Sequence, residues 1–377
     1  MQIPLSSPDI GPREIELVNQ VLRTRYLSIG PMIERFEKLF ARFVGRKHAI
    51  AVSSGTAGLH LCMRAIGLQP GDRVLTSSFS FIASANCILY EGGIPIFVDI
   101  DPQTLNMDVA ATREKLLELQ RAGTPARALL VVQIFGQLCD MDPLLKLAAE
   151  FELEVIEDAC EAIGAEYKGQ QAGTFGHAGV FAFYPNKQMT TGEGGMIITD
   201  DDTWNELFRS LRNQGRDKAG TWLNHVDLGY NYRMDELSAA LGVAQMERLP
   251  ELLEKRAQVA RWYATRLQEI EGVEAPQPAP YTTRMSWFVY VVRLAPEYDR
   301  EQIIKALAAK GVPARPYFKP IHLQPYYVQR FGYRPGMLPI TEAISQRTLA
   351  LPFFGKMTKD QIDYVCDALA EVLHQYA

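Results

Sequence analysis

Residues 128–132 read Ala-Leu-Leu-Val-Val, and residues 153–156 read Leu-Glu-Val-Ile. Both stretches are short, rich in β-prone residues and nearly unbroken in apolar side chains, and residues 143–151 between them have the pattern of a helix. Apolar strands that alternate with helices are typical of a parallel sheet covered on both faces. The sequence therefore predicts an α/β fold built on a large, mostly parallel sheet.

The same alternation precedes these two stretches. Strands are predicted at residues 49–52, 73–76 and 96–100, and helices at residues 57–66 and 82–90. Ligands of such sheets bind at the carboxyl ends of the strands. We therefore expect a functional site at that edge.

The pattern changes after about residue 236. A long charged helix is predicted over residues 236–263 with a bend at Pro250, then a strand at residues 286–292 and a helix at residues 301–310. Thr358 and Gln361 form a capping-box pattern at the start of a last amphipathic helix. These features predict a large domain over residues 1–236 and a small C-terminal α+β domain over residues 237–377.

Composition excludes several classes of protein. The 377 residues are 47% apolar with a formal net charge of −5, and no basic block points to a nucleic-acid partner. No apolar run approaches the roughly 18 residues of a membrane span, and the N-terminus lacks the pattern of a secretory signal. The five scattered cysteines predict free thiols in a reducing cytoplasm. The six histidines have no metal-ligand spacing, so no metal is expected.

Three segments carry candidate chemistry. The first, residues 53–58, reads Ser-Ser-Gly-Thr-Ala-Gly and joins a strand to a helix. Free backbone N–H groups and the positive helix end favour a phosphate there, although Ser and Thr also serve simply as helix N-caps. The second is Asp158, an acid at a strand end that fits a base, a metal ligand, a helix cap or the partner of a ring nitrogen. Glu161, three residues later, is expected on the same face of a helix start.

The third segment, residues 181–187, reads Phe-Ala-Phe-Tyr-Pro-Asn-Lys and leads into the glycine-rich residues 192–195. An apolar aromatic run thus delivers Lys187 into a polar segment, and a desolvated lysine amine becomes nucleophilic. A lysine that forms a Schiff base, together with an acid for a pyridinium nitrogen, is the minimal equipment for pyridoxal 5'-phosphate (PLP) chemistry.

These segments also carry a resemblance. Residues 54–57, 157–165, 183–187, 192–195, 229–234 and 320–324 together resemble the PLP-dependent nucleotide-sugar aminotransferases, often called the DegT/StrS family. The resemblance spans nearly the whole chain. It implies the aspartate-aminotransferase-like fold, fold type I of the PLP enzymes, and a homodimer whose two active sites lie at the subunit interface.

The resemblance also implies roles for single residues. Lys187 would form the Schiff base with PLP and then carry the proton between the substrate carbon and the cofactor, while Asp158 would pair with the pyridine nitrogen. Gly55 and Thr56 would hold the phosphate. Phe81 would stack on the ring, unless it is a core residue.

Asn231 of the partner subunit would reach the same phosphate. Two positions depart from the common pattern: Ala182 stands where many relatives have a phosphate-binding serine, and Glu161 where many have glutamine or histidine. Glutamate at that position points to perosamine-type 4-aminotransferases.

The implied reaction moves an amino group from L-glutamate to a keto group of a nucleotide-linked keto-deoxyhexose. Lys187 argues against the related sugar 3-dehydratases, which have histidine in its place. Ser28, Gly30, Tyr317 and His322 fall in segments that line the sugar site in relatives, although His322 also fits a packed histidine. Two alternatives remain at this level: a keto-cyclitol as acceptor, and a non-catalytic regulatory relative.

Overall fold

A seven-stranded sheet forms the centre of the described part of this computed structural model, which comprises residues 1–217 and 223–376. The strands in chain order are β1 His48–Val52, β2 Arg73–Ser77, β3 Ile94–Val98, β4 Ala126–Val132, β5 Glu154–Asp158, β6 Glu166–Tyr167, β7 Gln170–Gln171, β8 Ala178–Ala182, β9 Gly195–Thr199, β10 Val273–Glu274, β11 Thr282–Arg284, β12 Tyr290–Leu294 and β13 Thr348–Leu351.

The α-helices cover the faces of the sheets and connect their strands. In chain order they are α1 Pro12–Leu22, α2 Pro31–Val44, α3 Gly55–Ala65, α4 Ala83–Tyr90, α5 Val109–Arg121, α6 Met141–Glu150, α7 Asp202–Arg212, α8 Glu236–Glu247, α9 Leu249–Leu267, α10 Arg300–Ala309, α11 Pro325–Phe331, α12 Pro339–Arg347 and α13 Lys359–Tyr376. Short 3-10 helices lie at Ile134–Gly136 and Ile321–Leu323.

The large sheet has the strand order β1-β9-β8-β5-β4-β2-β3. Strands β3, β2, β4, β5 and β8 are parallel, whereas β9 runs antiparallel to both β8 and β1. Because β1 and β8 each oppose β9, they point the same way, and their carboxyl ends meet at one edge with those of β5 and β4. The predicted α/β fold with a mostly parallel sheet is confirmed.

The sheet is buried on both faces. Alternate residues of each strand belong to opposite apolar clusters, as the two-residue period of a strand requires. In β4, Leu129 and Val131 pack on one side, and Ala128 and Leu130 on the other. This double burial explains why the strands have continuous apolar sequences rather than alternating ones.

A smaller unit contains the sheet β10-β12-β13, covered by α9, α10 and α13 around its own apolar cluster. Helix α8 packs instead against α1 and α2, on the side of the large sheet. The boundary after residue 236 stays a prediction. A third small sheet has the order β11-β6-β7.

Several local predictions differ from the structure. The long helix predicted over residues 236–263 is two helices separated at Arg248, and Pro250 lies in the first turn of α9, where it costs no hydrogen bond. The strand predicted at residues 286–292 begins only at Tyr290. Residues 159–165 form turns, so Asp158 and Glu161 do not share a helix face.

The predicted capping box at the start of α13 is confirmed, since Thr358 and Gln361 each accept a side-chain hydrogen bond from the other's N–H group.

Across residues 1–217 and 223–376, no helix combines the length and the apolar character that crossing a membrane requires.

Candidate active site

A cavity of about 490 Å³ lies at the carboxyl ends of the parallel strands. It brings together residues that are far apart in the sequence but were each predicted to belong to the site. These lining residues are Gly55, Thr56, Phe81, Asp158, Glu161, Lys187 and Tyr317.

The N-terminus of α3 forms one wall of this cavity. The Ser54 side chain caps the helix by accepting a hydrogen bond of 3.1 Å from the Ala57 N–H, so the N-cap interpretation of this serine is correct. The first N–H groups of a helix lack helical partners, and together with the helix dipole they favour an anion. A Cβ atom at Gly55 would lie 2.8 Å from both Ala182 Cβ and Cys160 Sγ. Only glycine therefore lets the backbone approach this closely.

Asp158 ends β5 and is 6% exposed. Its Oδ2 accepts a hydrogen bond of 2.8 Å from Ser84 Oγ, and its Oδ1 accepts one of 3.2 Å from the Cys160 N–H. The Ser84 hydroxyl also lies 2.8 Å from Ser80 Oγ. An ionised carboxylate has about four acceptor positions. Asp158 does not cap a helix, and it has acceptor capacity left toward the cavity.

Lys187 lines the same cavity, and its side chain is 13% exposed. Its Nζ is 3.5 Å from Glu161 Oε1 and 3.8 Å from the centroid of the Phe288 ring. Glu161 is held by the Phe135 N–H, which donates to its Oε2 over 3.0 Å. Burial raises the pKa of Glu161, and the Lys187 charge partly opposes this effect. Burial and the Glu161 charge together raise the pKa of Tyr317.

Replacing Glu161 with glutamine should change how stability depends on pH. Because burial raises the pKa of Glu161 above its ordinary 4.5, the folded state binds the proton more tightly than the unfolded state. The stabilisation from this proton is present below pH 4.5 and is lost as the pH rises through the raised pKa. The variant cannot ionise there, so its unfolding free energy should increase relative to the wild type as the pH rises above 4.5.

Urea unfolding of both cofactor-free proteins between about pH 4 and pH 8 measures this difference. Glu118→Gln on the exposed face of α5 is the control, because its side chain is 65% exposed. A difference between Glu161→Gln and wild type that stays constant across the range would contradict the prediction.

Phe81 is 61% exposed on the cavity side, so it is not a core residue. Tyr317 and Phe318 also line the cavity, and their ring centroids are 4.7 Å apart. Aromatic side chains from two separate segments thus line the cavity, and such surfaces suit a flat ring.

Four predicted residues lie away from this cavity. His322 is fully buried, with Nδ1 2.7 Å from Ser78 Oγ and Nε2 3.1 Å from Glu342 Oε1, so it is a packed histidine in this chain. Gly30 precedes α2 and lines a separate cavity, Ser28 forms an isolated bridge with Asp235, and Asn231 is exposed on the surface.

Some residues of the site were not predicted. Phe288 was assigned to a strand because its neighbours are apolar, and Ser84 to a helix interior. The Ser84 hydroxyl contacts Ser80, which precedes α4, so the helix pattern contained no signal for this pair. Arg256, whose guanidinium donates to the Lys187 carbonyl over 2.8 Å, gave no local signal.

The residues present fit PLP. A phosphate matches the α3 N-terminus and its glycine, a pyridinium nitrogen matches the Asp158 carboxylate, and an aldehyde matches the Lys187 amine. All three groups face one cavity that also offers aromatic surfaces.

Comparison with known proteins agrees with this chemistry. The profile of the DegT/DnrJ/EryC1/StrS aminotransferase family matches residues 8–370. The chain is 40% identical over 376 residues to GDP-perosamine synthase from Caulobacter vibrioides, covering 99% of this chain and 98% of that protein. It is 38% identical over 385 residues to the spore coat polysaccharide biosynthesis protein SpsC from Bacillus subtilis, covering 98% and 97%.

A solved structure is also similar. The PLP form of the putative sugar aminotransferase Spr1654 from Streptococcus pneumoniae superposes with a TM-score of 0.92 at 25% identity, over all of both chains. The resemblance found in the sequence is confirmed. Matched over nearly its whole length, this chain belongs to the DegT/DnrJ/EryC1/StrS aminotransferase family and is a PLP-dependent sugar aminotransferase.

Proposed function

We propose that this enzyme moves an amino group from L-glutamate to the keto group of a nucleotide-linked keto-deoxyhexose. The observation that carries the proposal is the single cavity in which the Lys187 amine, the Asp158 carboxylate and the α3 N-terminus meet. The relative named GDP-perosamine synthase supports a nucleotide-linked sugar as acceptor.

Each residue has a proposed role. Gly55 and Thr56 would hold the phosphate of PLP, Asp158 its ring nitrogen, and Phe81 one face of its ring. Bound PLP supplies an electron sink for the carbon that loses its proton. Lys187 would hold PLP covalently and, once displaced by an amino donor, take the proton from the donor's α-carbon on its Nζ.

Glu161 would support this proton transfer. Its Oε1 is the carboxylate oxygen 3.5 Å from Lys187 Nζ, so it is placed to hold the proton that the lysine must release to act as a base. Its raised pKa brings its affinity for a proton closer to that of an amine.

Gly55→Ala should weaken PLP binding by about tenfold or more, which is 1.4 kcal/mol or more. The new Cβ would meet Ala182 Cβ and Cys160 Sγ at 2.8 Å, so the first turn of α3 must move away from the phosphate. Fluorescence titration of the cofactor-free protein with PLP measures the Kd. An unchanged Kd in a folded variant would show that the phosphate does not bind at this helix end.

We further propose a homodimer in which Asn231 of the partner subunit completes each site. Supporting this, Asn231 is exposed and lies outside the cavity of its own chain. Ser28 and Gly30 stay predicted substrate contacts, and neither lines the cavity of its own chain. Mixing Lys187→Ala with Asn231→Ala chains should restore activity, since one site in each mixed dimer then has both residues intact. Mixtures no more active than the separate variants would count against shared sites.

A substrate panel tests the reaction itself. The enzyme is supplied with PLP, L-glutamate and GDP-, UDP- or dTDP-linked 3-keto or 4-keto hexoses, and mass spectrometry detects the amino sugar. We expect product from a GDP-linked 4-keto hexose for two reasons. Glu161 is the residue expected of perosamine-type 4-aminotransferases, and a relative with 40% identity is named GDP-perosamine synthase. Absence of product from every nucleotide sugar would contradict the proposed acceptor, and a keto-cyclitol would then be tried.

A further inference from the structure

Arg256 on α9 is a buried cation next to the site. It is 4% exposed, and its hydrogen-bond partners among the described residues are all main-chain carbonyls. Burial lowers the pKa of Arg256 to about 10, with the Asp9 charge acting in the opposite direction. Burying a charge is costly unless its hydrogen bonds are satisfied, so this position requires a structural or functional reason.

The four carbonyls belong to two segments, and each terminal nitrogen serves one of them. One nitrogen, Nη2, donates to the carbonyls of Asn186 and Lys187 over 3.2 and 2.8 Å. The other, Nη1, donates to the carbonyls of Trp287 and Phe288 over 3.4 and 3.1 Å. The guanidinium therefore bridges the segment that carries the lysine and the segment that carries the aromatic ring.

The side chains of these segments contact each other as well. Lys187 Nζ lies 3.8 Å from the centroid of the Phe288 ring. The first segment follows β8 of the large sheet, whereas the second leads into β12 of the small sheet. The two segments are therefore joined twice: their main chains through the Arg256 guanidinium, and their side chains through the contact between Lys187 and Phe288.

We propose that Arg256 is a positioning residue, which holds the Lys187 amine at its place in the cavity by joining the main chains of these two segments. The inference rests on the proposed role of Lys187. A lysine at position 256 would keep the charge but has one nitrogen instead of a planar fork, so it cannot serve both segments at the same spacing.

The test uses Arg256→Lys and Arg256→Met in the PLP-loaded enzyme. Arg261 provides matched controls on the same helix, Arg261→Lys and Arg261→Met, because its side chain is 55% exposed and pairs with Glu254. Three quantities are measured well below the melting temperature of each variant: kcat per bound PLP, KM for the sugar, and the pH at which the visible absorbance of lysine-bound PLP titrates without substrate.

Both Arg256 variants should lose roughly tenfold to 100-fold in kcat, because a displacement of about 1 Å has that effect, with KM changed less than about threefold. The absorbance titration should move to higher pH in Arg256→Met, where a nearby positive charge is lost, and less in Arg256→Lys. The Arg261 variants should match the wild type in all three quantities.

A purely structural role predicts a different result: lower melting temperatures with wild-type kcat and titration, which would overturn the inference. If Arg256→Met does not fold, Arg256→Lys decides, and a wild-type kcat in that variant overturns the inference. A different result would contradict the proposed function. If the wild-type enzyme showed no absorbance of lysine-bound PLP, the role of Lys187 itself would be wrong.

Discussion

Lys187→Ala is expected to lower turnover by about 10³-fold or more, because the variant lacks the side chain that we propose both holds the cofactor and carries the proton. PLP should still bind, since the α3 N-terminus and Asp158 are unchanged, but it should no longer be attached covalently. Borohydride reduction followed by peptide mass spectrometry should find PLP on Lys187 in the wild type and no covalent PLP in the variant.

Lys168→Ala is the matched control for this experiment. Lys168 is an exposed lysine that pairs with Asp142 over 2.6 Å and does not line the cavity. Its loss should leave turnover and the covalent PLP unchanged. If Lys187→Ala kept more than about a tenth of wild-type turnover, another group would have to carry the proton.

The large sheet was predictable because burial on both faces leaves a strong local pattern. The strands β4 and β5 stand out as continuous apolar runs, and their ends place Asp158 at the correct edge. The antiparallel insertion of β9 between β1 and β8 was not predictable, since pairing partners are chosen by long-range contacts. The strand predicted from residue 286 begins only at residue 290, because the Ser286 N–H bonds to the Gly136 carbonyl and the Trp287 and Phe288 carbonyls accept from Arg256 instead of from a neighbouring strand.

The candidate site likewise contains residues that the sequence predicts and residues that it does not. Residues within recognisable segments, such as Gly55 and Lys187, were found from their sequence neighbours and the family resemblance. Ser84 and Arg256 were not, because their partners come from other parts of the chain and an isolated serine or arginine in a helix has no distinctive pattern. For His322 the sequence left two alternatives, a substrate contact and a packed histidine, and its buried ring, hydrogen-bonded to Ser78 and Glu342, fits the second.

The second large effect is expected at Asp158. Asp158→Asn keeps the shape of the side chain and removes its charge, so the variant tests the electrostatic role of the carboxylate. The amide replaces one acceptor with a donor, which the Ser84 hydroxyl can accommodate: it can accept from the amide and donate to the Phe81 carbonyl, 3.2 Å away. The fold should therefore tolerate the change.

Turnover of Asp158→Asn should fall by about 10²-fold or more, because the ring nitrogen of bound PLP would lose the negative charge that we propose keeps it protonated. Steady-state kinetics with saturating PLP measures the effect, and thermal melting checks the fold. Ser84→Ala serves as a graded comparison, since it removes one hydrogen bond to the carboxylate but leaves the charge, and its loss of turnover should be clearly smaller. An Asp158→Asn enzyme within about threefold of the wild type would show that this carboxylate does not stabilise charge on the cofactor ring.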